Sequence, residues 1–274
     1  MSSATSHVRS TASRAADSKP LEYLVRTGFI CYGVIHLLFA WVVLQVAVGG
    51  SRADSDQSGA LQSLASKPFG RTMVIIVAVG MVALAIWQAF AAAIGESGEQ
   101  DKEAIAERVV SGARTIIYLS LAWTAVKVVR GANASLGDSQ QRGASSLMDS
   151  TGGRWLVGLI GVVVVGVGVG LLWYGLKKKF EKHLSIHQMS GNVRKTTGRL
   201  GVAGYSAKGI AYAIAGVLVV VAAATYDPDK ARGLDSGLKA LAGEPYGPWL
   251  LALIALGIAA FGVFCFAQAK YRKV

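Results

Sequence analysis

The chain has 274 residues and a formal net charge of +12, with 53% hydrophobic residues, only 16% charged residues and a mean hydropathy of +0.45. A soluble domain carries about 25% charged residues to cover its surface, so this composition excludes an ordinary water-soluble enzyme or binding module. Gly is frequent (33) and Pro scarce (5), and the glycines lie inside apolar runs, where membrane helices use small residues for packing.

Residues 1–20 are rich in Ser, Ala and Arg and lack the apolar stretch of a signal peptide. They are expected to form a disordered cytoplasmic tail. Six apolar stretches follow, at 28–48, 72–94, 109–129, 155–176, 207–225 and 249–269, each near the roughly 20 residues that span a bilayer core of ~30 Å. The third is the least apolar, with Arg114 and Lys127 near its ends. The six Trp residues fall mostly toward span ends, as interfacial aromatics do. Eighteen of the 28 Lys and Arg lie on the side of the two termini and ten on the other. The positive-inside rule therefore predicts cytoplasmic termini.

The basic excess is read as a topology signal and as a contact for anionic lipids through Lys177, Lys178 and Lys179. Nucleic-acid binding is set aside, because no aromatic residues interleave with this cluster as a stacking platform requires. Cys31 and Cys265, the only cysteines, fall in the cytoplasmic halves of their spans, where a structural disulfide is not expected.

Three segments align along the chain. The odd-numbered spans open with RTGFICYGVIHLLFAW at 26–41, RVVSGARTIIYLSLAW at 108–123 and GRLGVAGYSAKGIAYAIAG at 198–216. His36, Tyr118 and Tyr212 correspond and form the candidate central polar positions; one turn earlier stand Tyr32, Arg114 and Lys208. The even-numbered spans are led in by SGALQSLASKPFGR at 58–71, RGASSLMDSTGGR at 142–154 and SGLKALAGEPYGPW at 236–249. Leu64, Leu147 and Leu241 correspond, as do Gly70, Gly153 and Gly247. The spacing Leu61, Leu64, Ala65 (and Leu238, Leu241, Ala242) predicts a short amphipathic helix over 59–66 (and 236–242) lying in the outer interface, ended by Pro and turned by Gly into the next span. Copy two carries Thr151-Gly152 in place of Pro-aromatic, so its helix is expected to end less sharply.

These motifs resemble the DUF1206 family of bacterial membrane proteins, in three tandem copies from about Leu21 onward. The resemblance implies a multi-pass architecture and a bacterial cell-membrane location, and brings no activity with it. The expected layout is repeat 1 at 21–95, repeat 2 at 104–180, a basic cytoplasmic linker at 181–197 and repeat 3 at 198–274. The fold class is an all-α integral membrane protein of six transmembrane helices: three parallel two-helix repeats in a pseudo-threefold arrangement. Closure of such a ring would bring span six beside span one, with Cys31 and Cys265 at similar depth; cross-linker reach between them then depends on their facing, which depth does not set.

Candidate chemistry is sparse. His183 and His187 are spaced i, i+4 on an expected helix, but a metal site needs three or four ligands and no other ligand stands at matching spacing. His36, the only His inside a span, is a functional candidate by position and also a candidate for an interhelical hydrogen bond. Arg114 and Lys208 are expected to snorkel to lipid headgroups, or alternatively to flank a vestibule that attracts anions. Gln45, Gln88 and Gln268 are assigned to the interfaces. Gly161, Gly168 and Gly175 recur every seven residues and Gly166 and Gly170 form a GxxxG pair, which reads as a packing seam within the bundle or between chains.

No nucleophile elbow, P-loop or dinucleotide fingerprint is present, and the acids sit in loops, tails or span margins. No enzyme and no cofactor are expected. The first functional expectation is a scaffold or accessory subunit of a membrane assembly, with membrane lipids and a protein partner or homo-oligomer as partners. The alternatives are a small-solute transporter or channel, which would need a continuous polar cavity lined by His36, Tyr118 and Tyr212, and a quinone- or haem-associated redox subunit.

Overall fold

The computed structural model describes residues 19–49, 55–94, 102–132, 134–150 and 152–273. The expected N-terminal tail lies, but for its last two residues, outside them. Among the described residues six long helices, α1 (Lys19–Ala47), α3 (Gly70–Ile94), α4 (Lys102–Val129), α6 (Gly153–Leu176), α7 (Gly191–Thr225) and α9 (Gly247–Tyr271), are joined within each copy by a short one, α2 (Gln57–Ala65), α5 (Leu136–Met148) and α8 (Leu234–Ala242). Each long helix is long and apolar enough to cross a bilayer. The face where α1 begins and α9 ends is the terminal face, and the face of the short helices is the cap face.

Each short helix turns into the next span through the same geometry. The amides of Gly70, Gly153 and Gly247 donate to the carbonyls of Lys67, Ser150 and Glu244 at 2.9, 3.0 and 2.8 Å. A Cβ on these glycines would stand 1.9, 1.7 and 1.9 Å from the carbonyl oxygens of Leu64, Leu147 and Leu241. Only a residue without Cβ lets the chain pass so close. That accounts for the paired Leu and Gly in every copy. Copy two ends no less tightly than the others, contrary to expectation: Gly152, at φ +82°, supplies the bend. Its helix is instead longer, at 13 residues against 9 in copies one and three.

The six spans pack in the order α4–α3–α1–α9–α7–α6. Span six therefore lies against span one, where Gly33 meets the Gly262 carbonyl closely enough that a Cβ would stand 2.8 Å from it. Arg26 fastens the same seam by donating to the carbonyls of Ala269 and Lys270, both at 2.7 Å. The largest interfaces join different copies, α6 to α7, α9 to α1 and α3 to α4. In copy two the two spans, α4 and α6, barely touch among the described residues. The three units are thus unequal.

The glycine seam of α6 is internal. A Cβ on Gly168 would stand 2.6 Å from the Gly209 carbonyl, and one on Gly161 2.8 Å from the Val220 amide, so α6 and α7 are in backbone contact. Gly175 packs on Tyr205, whereas Gly166 and Gly170 face away from the bundle with nothing near them.

Cys31 points at α3, donating to the Ile76 carbonyl at 3.7 Å, on the side of α1 away from the Gly33 contact with α9. Several local expectations are corrected. Trp87, Gln88 and Gln268 are buried rather than interfacial. His183 and His187 sit in two separate 3₁₀ turns, 179–183 and 186–188, not on one helix. Among the described residues no cluster suited to a metal ion occurs.

Candidate functional site

The middle of the bundle holds a polar and aromatic cluster inside an apolar shell. Tyr32 and His36 come from α1, Arg114 and Tyr118 from α4, Tyr205, Lys208 and Tyr212 from α7, and Phe261 from α9. Helical spacing puts Tyr32 and His36 one turn apart on one face. The Tyr32 ring meets His36 edge-on at 4.2 Å between centroids and Tyr118 at 5.2 Å. His36 is wholly buried. Its Nδ1 lies 2.8 Å from the Tyr32 carbonyl; a carbonyl can only accept, so Nδ1 carries the hydrogen and the neutral ring offers its Nε2 lone pair.

Lys208 points at that lone pair. Its Nζ lies 3.4 Å from His36 Nε2 and 3.2 Å from Tyr32 Oη, and 4.0 Å from the centroid of the Phe261 ring. Ring faces attract cations. The side chain therefore turns into the bundle, and the expectation that it snorkels to headgroups is corrected. Arg114 stands on the stripe of α4 that also carries Ile117, Tyr118 and Leu121, within electrostatic reach of Tyr205, Tyr118, Tyr174 and Tyr32. Among the described residues no carboxylate pairs with Lys208 or Arg114. Charges inside a protein are ordinarily paired. Two cations without acids are thus the unusual feature of this bundle.

Toward the cap face a cavity of about 690 Å³ opens above Tyr32 and Tyr212. One wall is α4 (Ile116, Ile117, Ser120, Leu121) and the opposite wall is α6 (Val157, Ile160, Val164, Val167). It occupies the gap between the two spans of copy two. His36 and Tyr118 are buried behind Tyr32 and do not line it. The continuous polar cavity lined by His36, Tyr118 and Tyr212 that the transporter expectation requires is therefore not what forms: the walls are mostly apolar, and polar groups collect at the floor (Tyr32, Tyr212) and at the roof (Asp56, Gln57, Ser139, Gln140).

The cap face is a hydrogen-bonded plate that ties all three copies together. Asp56 caps α2 by accepting from the Ser58 and Gly59 amides at 2.7 and 3.1 Å. Ser58 Oγ accepts from the Leu136 amide at 3.1 Å, and Gln62 Nε2 donates to the Ala134 carbonyl at 2.9 Å, joining copy one to copy two. Asp235 of copy three, fully buried, accepts from the Ser55 amide at 2.8 Å, from Arg232 Nε at 3.0 Å and from Lys239 Nζ at 2.7 Å. Arg232 also pairs with Asp138 of copy two at 2.5 Å. Burial would push the Asp235 carboxyl up, but the bonds from Lys239, Ser55 and Arg232 hold it below its ordinary value. Two acids placed by sequence in loops are thus buried, Asp56 in the roof of the cavity and Asp235 beside it.

The terminal face is closed by the last residue of the expected repeat 2, Phe180, and the start of the expected basic linker, 181–197. Phe180, in the turn 179–183, is buried and stacks on Tyr205 at 5.6 Å and 18°, with Phe264 edge-on at 5.1 Å. The Ser185 amide donates to the Tyr271 carbonyl at 2.7 Å and the Lys273 amide to the His183 carbonyl at 3.0 Å. Lys182 pairs with Glu107 of α4. Lys177, Lys178 and Lys179 remain exposed at the end of α6, Lys177 lying 4.8 Å over the Trp173 ring.

Tyr32, Tyr205 and Phe261 of the central cluster, and Phe180 below it, are residues that the sequence did not single out. Tyr32 could have been found from its alignment with Arg114 and Lys208. Phe180 carried no signal, because it stands alone in a basic run.

Six apolar helices in three interlocked copies, with a polar centre and a hydrogen-bonded cap, define a repeat-built multi-pass membrane protein. The chain belongs to the DUF1206 family: the family model, described as "Domain of Unknown Function (DUF1206)", matches residues 27–95, 109–178 and 203–272. It is also similar to "Uncharacterized protein YxxB" of Bacillus subtilis (strain 168), with 28% identity over 260 residues and 94% of each chain covered. No solved structure matches it.

Proposed function

We propose that this protein is a non-enzymatic binding protein of the bacterial plasma membrane, holding or passing a small anionic ligand at the Lys208–Arg114 centre, with both termini cytoplasmic. The observation that carries the reading is the pair of cations turned into the bundle with no described carboxylate beside them, at and just below the floor of a cavity. An anion there supplies the missing counter-charge. The orientation is supported by the eighteen-to-ten split of Lys and Arg between the two faces. Native mass spectrometry of protein extracted in mild detergent tests the binding. A bound anionic mass in the wild type that disappears in Lys208→Gln and Arg114→Gln is expected; its survival in both variants would end the proposal. For the orientation, Cys placed at Ser3 or Lys273 should resist an impermeant thiol reagent on intact cells.

A second reading, the scaffold or accessory subunit, draws on α6. Gly166 and Gly170 are open to the outside between exposed Val162, Val163, Val169 and Trp173, a surface on which another span, of a protein partner or a second copy, can pack closely. Reproducible co-purification that Gly166→Leu abolishes would favour it. The exposed Lys177, Lys178 and Lys179 suit anionic lipids of the inner leaflet under either reading.

A further inference from the structure

The charge and shape of the cavity say more than that its ligand is an anion. Resting on the reading above, we infer that the site takes a single-chain anionic amphiphile of the fatty-acid class, with its carboxylate at the Tyr32–Lys208 floor and its chain between α4 and α6.

Polarity within the cavity fixes which end goes where. The floor presents Tyr32 and Tyr212, with Lys208 Nζ 3.2 Å behind the Tyr32 hydroxyl and no described acid beside it. At the roof, among the neutral side chains of Gln57, Ser139 and Gln140, stands Asp56, a buried carboxylate already committed to the α2 amides. An anionic head is repelled from the roof and attracted to the floor. Between the two ends the walls are aliphatic but for Ser120. From Val157 to Val167 the α6 wall runs about 15 Å at 1.5 Å per residue, a path that an extended acyl chain follows and a short polar solute leaves unfilled. Each methylene placed there is favoured relative to water but gains nothing relative to lipid. The chain therefore gives fit, and the floor gives selectivity.

The volume and the closure narrow the class. A cavity of about 690 Å³ falls within the roughly 300–1,000 Å³ of small-molecule sites. The floor is sealed on the terminal face by Phe180, Tyr205 and Phe264, so a large zwitterionic headgroup has nowhere to go, whereas a carboxylate needs only the hydroxyls and the ammonium. Entry is lateral, because α4 and α6 barely pack on each other and both present exposed apolar residues to the membrane, among them Ile116, Leu159 and Val163.

The test uses the full chain in lipid nanodiscs and a photoactivatable hexadecanoate carrying a diazirine near the end of its chain. Labelling should map to 116–121 and 157–167, should fall at least tenfold in Lys208→Gln and in the cavity-filling Ile160→Trp, and should return in Lys208→Arg. Size-exclusion profiles and helical circular dichroism exclude variants that fail to fold. The matched diazirine hexadecanol, with the same chain and a neutral head, should label these segments far less. Equal labelling by acid and alcohol means ordinary contact with bilayer chains and overturns the inference. Acetate and inorganic phosphate at millimolar concentration should not compete. If they do, and the wild type retains only a short anion in native mass spectrometry, the amphiphile is wrong while the anion-binding reading stands. If no anion is retained at all, both fail together.

Discussion

At the scale of single residues, the lead-in glycines are the least replaceable positions. In Gly70→Ala or Gly247→Ala the new methyl would stand 1.9 Å from a carbonyl oxygen of its own turn, and backbone, unlike a flexible side chain, has no easy way to yield. A loss of about 2–4 kcal/mol is expected, read as a lowered midpoint of thermal unfolding in detergent. Phe69 offers the opposite case. It is 84% exposed and sits at φ +60°, a left-handed conformation that costs an L-residue roughly 1–2 kcal/mol. Copy two has Gly152 at the same repeat position and in the same conformation. Phe69→Gly should therefore stabilise the protein by up to about 1 kcal/mol in the same assay, and a clear loss would mean that the exposed ring contributes more than the strain costs.

At the scale of elements, the cap helices were legible in the sequence and their connections were not. The i, i+3, i+4 apolar spacing and the Pro-aromatic-Gly stops gave 59–66 and 236–242, against observed helices at Gln57–Ala65 and Leu234–Ala242. Periodicity reports which face of a helix is apolar, and a turn residue reports where it stops. Neither reports which acid meets which amide across about 180 residues, so the burial of Asp235 and its hold on Ser55 lay beyond that kind of reading. The same limit hid Phe180, whose partners come from α7 and α9.

The Asp235 contact has a defined pH behaviour. Its folded carboxyl titrates below the ordinary value of about 3.9. The contact therefore contributes fully above that value and is lost as pH falls through the lower, folded one. Asp235→Asn should cost about 3 kcal/mol at neutral pH, since it leaves Arg232 and Lys239 beside an uncharged group. The difference between variant and wild type should shrink below about pH 4. A difference that stays constant down to pH 3 would mean that the carboxylate charge is not what holds the plate.

At the scale of the whole molecule, the number of spans, the repeats and the adjacency of spans one and six could all be read from the chain. The unequal packing of the three copies could not, because aligned motifs say that units are alike and do not say how each meets its neighbours. The sequence treats each pair of spans as a unit, yet the larger interfaces run between units, α3 on α4, α9 on α1 and α6 on α7. Helices that meet through glycine backbones at Gly33–Gly262 and Gly168–Gly209 gain little by staying with their own copy, since lipid solvates an isolated apolar hairpin as well as a neighbouring helix does and close packing decides the association. The protein should consequently tolerate a cut between copies better than the loss of one. Residues 1–98 and 99–274, expressed together as separate chains, should assemble and co-purify in mild detergent, because α1 and α3 each retain a partner of the second chain and Arg26 still bonds the Ala269 and Lys270 carbonyls. Residues 198–274 alone should not give a monodisperse species, with the α9 face for α1 and the α7 face for α6 both uncovered. Two fragments that run apart, or a single repeat that folds and behaves well by itself, would show that the hairpin and not the interlocked row of spans is the unit of stability.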